Sequence, residues 1–148
     1  MKIWLASYKG TPKGLKGRIV SAVIRATCKG VYSHCEIVVG DNPFKKPAEC
    51  ISSSGMDGGV RLKTMTLNPE HWDLIEVKVS RIKVEEWMRE NIGKKYDFAG
   101  TARFVLPFFV REHEDKWFCS EACADMLGFS EPWRFDPCSL HVATMGMK

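Results

Sequence analysis

Residues 31–39, Val-Tyr-Ser-His-Cys-Glu-Ile-Val-Val, constrain the fold more than any other stretch of the chain. The run is rich in β-branched residues and is closed by Gly40-Asp41-Asn42-Pro43, the punctuation expected after a strand. Side chains alternate across a strand, which sets Tyr32, His34, Glu36 and Val38 on one face. Ser33, Cys35, Ile37 and Val39 take the other. A face carrying Tyr, His and Glu in a strand otherwise built for burial is either open to solvent or lines a site.

The rest of the chain supplies partners for that strand. Residues 1–8 read as a first strand, and Ala48 to Ser54 as a strand returning antiparallel to 31–39. Asp57-Gly58-Gly59 is a turn into Val60-Arg61-Leu62-Lys63, whose alternation suggests a half-exposed strand. Trp72 to Val79 follows, with Ile75, Val77 and Val79 sharing a face. Two helices are expected: one with Val20, Val23 and Ile24 inward and Gly30 past its end, and one capped by Ser80 with Val84, Trp87, Met88 and Ile92 inward. Lys94 to Gly100 reads as a loop or short helix. Arg103 to Phe109 is aromatic without a clear period, His113 falls in a charged loop, and the tail with Pro132 and Pro137 looks irregular. A helix followed by antiparallel strands and then helices indicates an α+β domain spanning 1–148.

The last strong signal is Lys116 to Gly128. From Cys119 onward it reads as a short helix with Cys119, Ala122, Cys123 and Met126 on one face, packed on the sheet and ended by Gly128 in a left-handed cap. Cys119 thus falls at the helix start, where free backbone N–H groups and the helix dipole favour thiolate over thiol. Cys123 lies one turn inward and reads as core packing.

The six cysteines come without a secretory signal, so reduced thiols are expected. They form no C-x-x-C pair, and neither His34-Cys35 nor Cys119-x-x-x-Cys123 matches a common zinc spacing, so no metal or other cofactor is expected. Residues 10–17 are basic and glycine-rich but lack the spacing of a phosphate-cradling loop. The formal net charge of +4 is concentrated early: Lys2, Lys9, Lys13, Lys16, Arg18, Arg25 and Lys29 occur before residue 31 without one acidic residue. That balance suits an anionic polymer or headgroup. Aromatic residues do not interleave with the charge, so nucleic acid is not the expected partner. Neither a transmembrane segment nor a signal peptide is legible, and the expected location is the cytoplasm.

A histidine opening a strand and a cysteine opening a helix are the pair that thiol hydrolases require. The imidazole takes the thiol proton and later gives a proton to the leaving group. Tyr32-Ser33-His34, Tyr96-Asp97-Phe98 and Phe118-Cys119-Ser120-Glu121, in that order, resemble the circularly permuted, YiiX-like branch of the papain-like NlpC-type hydrolases. Lecithin retinol acyltransferase is a distant relative of that branch. Small proteins of tailed phages look similar too, through Ser52-Ser53-Ser54 and Asp57 to Arg61. The resemblance implies a papain-like antiparallel sheet packed on helices, with Cys119 as nucleophile and His34 as base. A third polar residue orients the imidazole. Ser52 matches the position where many relatives have a carboxylate or histidine; Glu36 lies two residues beyond His34 on the same face, and Glu49 is nearby. The order of preference is Glu36, Ser52, Glu49. His71, His113 and His141 have weaker claims.

The function expected from the resemblance is cleavage or transfer of an acyl group at an amide or ester, from a cell-wall peptide or a lipid. The alternative is a phage-type binding or structural module that keeps the fold without the activity. Oligomeric state is not legible.

Overall fold

Strand β1 (Ile3–Tyr8) lies next to one edge of the sheet, flanked antiparallel by β2 (His34–Val39) and by the edge strand β5 (Trp72–Val77). Outward from β2 come β3 (Ala48–Ser54), β4 (Gly59–Met65), β6 (Lys95–Tyr96) and β7 (Lys116–Trp117). The sheet order is β5-β1-β2-β3-β4-β6-β7. The computed structural model describes residues 1–98 and 116–147. The aromatic run 103–109, the end of the 94–100 segment and His113 lie outside them.

The expected antiparallel pairing of β2 with β3 is present, in the register Ile37↔Ile51, Val38↔Cys50 and Val39↔Glu49. The expectation of a wholly antiparallel sheet is corrected at one edge, where β6 and β7 run parallel. Parallel neighbours need a long crossover, which residues 97–115 are long enough to supply. Strands of two residues carry no periodicity, which is why neither was legible. The strand read over 31–39 begins only at His34; just before it the Ser33 N–H donates to the Tyr8 carbonyl and the Tyr32 hydroxyl donates to Asp73.

The sheet buries a core on each face. Leu5, Cys35, Ile37, Ile51 and Val60 form one with the helices, whereas Ala6, Val38, Ala48, Cys50 and Leu67 form a smaller one on the opposite side. Four α-helices are present among the described residues: α1 (Leu15–Cys28), α2 (Arg81–Asn91), α3 (Cys119–Leu127) and α4 (Pro137–Met145). None is long and apolar enough to cross a membrane. The architecture is therefore α+β with a mixed seven-stranded sheet.

Several apolar assignments differ from the sequence reading. In α1 the inward residues are Ser21 and Ile24, with Val20 at the edge, while Val23 is 45% exposed. This helix touches the core by a narrow stripe only. In α2 the fourth inward position belongs to Asn91, not Ile92, because the helix ends at Asn91 and Ile92 turns outward. Buried Asn91 donates to the Trp87 carbonyl and accepts from the Trp117 indole at 3.0 Å, which ties α2 to β7. The α3 helix is buried nearly all round rather than amphipathic, because the sheet, α2, α4 and the 3-10 turn Pro132–Arg134 enclose it. In β4 the alternation breaks after Val60, which is buried as expected: Arg61 is largely buried and Leu62 is 42% exposed.

The tail is not irregular. Asp136 caps α4 by accepting from the Cys138 and Ser139 N–H groups, both at 2.8 Å, and Ser139 Oγ accepts from the Asp136 N–H. With Pro137 at the first helical position, Asp-Pro-x-Ser is a helix-start signal.

Gly59 begins β4 at φ 152° where the strand meets the 94–96 segment, and an added Cβ would fall 2.0 Å from the Lys94 carbonyl oxygen. At Gly58, with φ 85°, a Cβ would meet nothing within 4 Å. Gly58→Ala therefore pays backbone strain alone, about 1–2 kcal/mol. Gly59→Ala adds a backbone clash, for a loss of about 3 kcal/mol or more. Thermal unfolding followed by circular dichroism is expected to separate the two variants by several degrees, with Gly59→Ala the less stable.

Candidate active site

The site forms where β2 parts from β3. Their ladder stops at Ile37↔Ile51, leaving His34, Cys35 and Glu36 paired only to β1. Ser52 spans the opening by donating its hydroxyl to the Cys35 carbonyl at 2.7 Å. Next to it, Ser53 Oγ donates to the Trp117 carbonyl at 2.6 Å, which fixes the segment leading into α3. Phe118 is the N-cap residue, its N–H donating to the Glu121 carboxylate at 3.3 Å, and Cys119 is the first residue of the helix. A helix start has N–H groups without intrahelical partners, so the Cys119 sulfur sits beside partial positive charge.

Cys119 keeps 1% of its surface. Burial alone would raise its pKa. The Cys35 thiol, the charge and hydrogen bond of His34 and the Cys35 backbone N–H together outweigh burial and hold Cys119 well below the ordinary thiol range. Cys35 itself is pushed up by burial and by its bonds to Cys119 and Cys123, so it remains a protonated donor. His34 is the reciprocal case. Burial favours its neutral form, but the Cys119 charge and hydrogen bond, then Glu36, raise it well above the ordinary imidazole value. Both shifts favour the thiolate–imidazolium form of the pair.

Glu36 is the residue that holds the imidazole. His34 Nε2 donates to Glu36 Oε1 at 3.2 Å, and the carboxylate is only 2% exposed. Arg61 grips the same carboxylate with two bonds, Nη2 to Oε1 at 2.7 Å and Nη1 to Oε2 at 2.9 Å. Burial would raise the Glu36 pKa, but the bonds and charges of Arg61 and His34 bring it down to about 2. Arg61 in turn donates to Asp57 at 3.0 Å and to the Cys50 carbonyl at 3.2 Å, and Asp57 also pairs with Lys63. One line of alternating charge thus runs from Lys63 through Asp57, Arg61 and Glu36 to His34. Trp72 stands edge-on to His34 with ring centroids 6.3 Å apart.

Of the three residues considered for orienting His34, only Glu36 contacts the ring. Ser52 is fully buried and bonds to backbone carbonyls, and Glu49 is 43% exposed and faces Arg81 on α2. Arg61 was not anticipated. Its signal was the register of β4 on β3, which sets Arg61 opposite Ser52 on the face that carries Glu36. Cys35 was assigned to the opposite strand face from His34, yet both reach Cys119 because α3 starts at the open end of β2.

The other described histidines lie elsewhere. His71 stacks edge-on against Tyr8. His141 Nδ1 is 2.8 Å from Ser7 Oγ, and its Nε2 is 3.3 Å from the Tyr32 hydroxyl, which donates to Asp73. Tyr96 packs in the core between Phe98 and Phe118, and Asp97 is buried with its N–H on the Trp117 carbonyl. Two of the early basic residues are neutralised on the sheet, Lys2 by Glu76 and Lys9 by Asp73, whereas Lys13, Lys16 and Arg18 remain exposed.

No family model matches this chain, and no curated protein is similar to it.

Proposed function

We propose that the protein is a cysteine hydrolase or acyltransferase of the permuted papain-like kind, acting on an amide or ester. The observation that carries this reading is the chain Cys119–His34–Glu36–Arg61, with the thiol at a helix start and the imidazole held by a buried, doubly bonded carboxylate.

In this mechanism His34 holds the proton given up by Cys119. Glu36 occupies Nε2, so Nδ1 is the nitrogen that carries it. The thiolate attacks the substrate carbonyl carbon, and the carbonyl electron pair moves onto oxygen, where the Cys119 N–H supports the negative charge. Collapse breaks the bond to the leaving nitrogen or oxygen, which takes the proton from His34. A thioester on Cys119 remains. Water, deprotonated by His34, then releases the acid; an alcohol or amine in its place gives acyl transfer. Lys13, Lys16 and Arg18 suit an anionic substrate, such as a wall peptide carboxylate or a phospholipid headgroup.

The 1% exposure of Cys119 favours a second reading, a binding module in which the same charge chain only stabilises the fold. The two separate on one measurement. Incubation with p-nitrophenyl acetate followed by mass spectrometry is expected to show an acetyl thioester on the Cys119 peptide, sensitive to hydroxylamine and absent in His34→Ala. If every thiol stays unacylated in the folded protein while the unfolded protein is acylated, the binding module is the correct reading.

A further inference from the structure

A second thiol cluster lies away from Cys119, where the end of α1 meets the start of α4. Cys28 is the last residue of α1, Cys138 is the second of α4, and Asp136 is the cap residue of α4. One ligand atom from each lies within 4.8 Å of the other two, and all three residues are partly exposed. We propose that Cys28, Asp136 and Cys138 form a binding site for a thiophilic divalent cation of the zinc type, three protein ligands leaving a fourth position for solvent or a small ligand.

The geometry and the ligand chemistry agree. A tetrahedral ion with bonds of about 2.0–2.3 Å sets its ligands about 3.4–3.8 Å apart. The ligand atoms lie no more than 4.8 Å apart, so they close by about 1–1.4 Å at most to reach that spacing, and partial exposure gives an ion access. Two sulfur donors select zinc-like ions over calcium or magnesium, which prefer oxygen. Asp136 Oδ1 is fixed by the Cys138 and Ser139 N–H groups, so the carboxylate is already oriented. Close approach is built into the backbone. A Cβ on Gly30 would lie 2.5 Å from Cys138 Sγ, so a residue with a side chain at position 30 would push that sulfur out of the cluster. Cys138 Sγ also stands 3.6 Å from the Tyr32 carbonyl. An ion here would clamp α1 to α4 beside the segment that leads into His34. No local spacing signals this cluster, because its ligands come from distant parts of the chain.

The test is titration of the reduced, metal-free protein with Co²⁺, followed by displacement with Zn²⁺. Thiolate coordination produces a charge-transfer band in the near ultraviolet and visible bands of a tetrahedral ion. The expected result is one Co²⁺ per chain, displaced by Zn²⁺, with the band lost in Cys28→Ser and in Cys138→Ser and kept in Cys119→Ala. Asp136→Asn is expected to weaken binding at least tenfold while leaving the helix cap in place, since an amide oxygen caps as well as a carboxylate. This variant keeps the test open should a serine variant fail to fold. Absence of the band, its loss in Cys119→Ala with retention in Cys28→Ser, or unchanged affinity in Asp136→Asn would each overturn the assignment.

Discussion

Arg61→Met is expected to destabilise the protein by about 3–5 kcal/mol at neutral pH, the cost of stripping the partner from a buried charge. For a chain of this size that is a fall in melting temperature on the order of 10 °C. Glu36 is 2% exposed and cannot turn to water, and two of its bonds come from Arg61. The pH dependence fixes the cause. In the native protein the Glu36 pKa is lowered from 4.5 to about 2, so its contribution is complete above pH 4.5 and is lost as pH falls towards 2. In Arg61→Met the burial effect is left opposed only by His34, and the Glu36 pKa rises. The deficit is therefore expected to be largest near pH 7 and to shrink on acidification, where both forms carry a protonated Glu36. Adding Glu36→Gln to Arg61→Met is expected to recover part of the loss, because an amide costs less to bury unpaired than a carboxylate. Urea unfolding of the wild type and the two variants across pH 3–8 measures this. A deficit independent of pH would mean that Arg61 acts through packing and not through Glu36.

How much of this was legible in the sequence depends on how local each feature is. The β2 strand and the α3 helix each carry their own signal, β-branched residues with a turn behind them in one and helical spacing up to Gly128 in the other. Both His34 and Cys119 sit at the first position of their elements, but their pairing was legible through the chemistry of a thiol with an imidazole and through the resemblance, not through element type. The role of Arg61 could not. Its side chain is inward because Glu36 is, and that pairing depends on the registers of two successive strand pairs, neither visible from composition. The same applies to Val23 and Ile92, apolar residues that the helical period permits inside but that the depth of α1 and the end of α2 leave outside. The α4 helix was missed for another reason. Pro132 and Pro137 resemble breakers in the sequence, although proline after a capping residue, as at Asp136-Pro137, begins helices as readily as it ends them.

Iodoacetamide at about pH 6.5 is expected to alkylate Cys119 ahead of the other five cysteines. The preference follows from charge, not exposure: Cys28 and Cys138 are more accessible than Cys119, yet burial and the neighbouring Asp136 push the Cys28 thiol up, and Cys50 is raised to about 12 by burial and by Glu36. His34→Ala removes the imidazolium, and the thiol returns to about 8.5 or above in a buried setting. The thiolate fraction at pH 6.5 then falls about 100-fold. A more basic thiolate is intrinsically more nucleophilic, which restores part of the rate and leaves a net slowing of about tenfold. The midpoint of the rate against pH is the cleaner observable, since nucleophilicity alters the plateau and not the position. It is expected below pH 7 in the wild type and about two units higher in His34→Ala. Glu36→Gln is expected to fall between them, because the neutral amide still accepts from Nε2 but no longer offsets the charge on the ring. Peptide mapping of alkylation over time and pH for the three proteins gives both quantities. If the Cys119 midpoint stays near 8.5 in all three, His34 and Cys119 do not share a proton, and the charge chain from Arg61 serves stability alone.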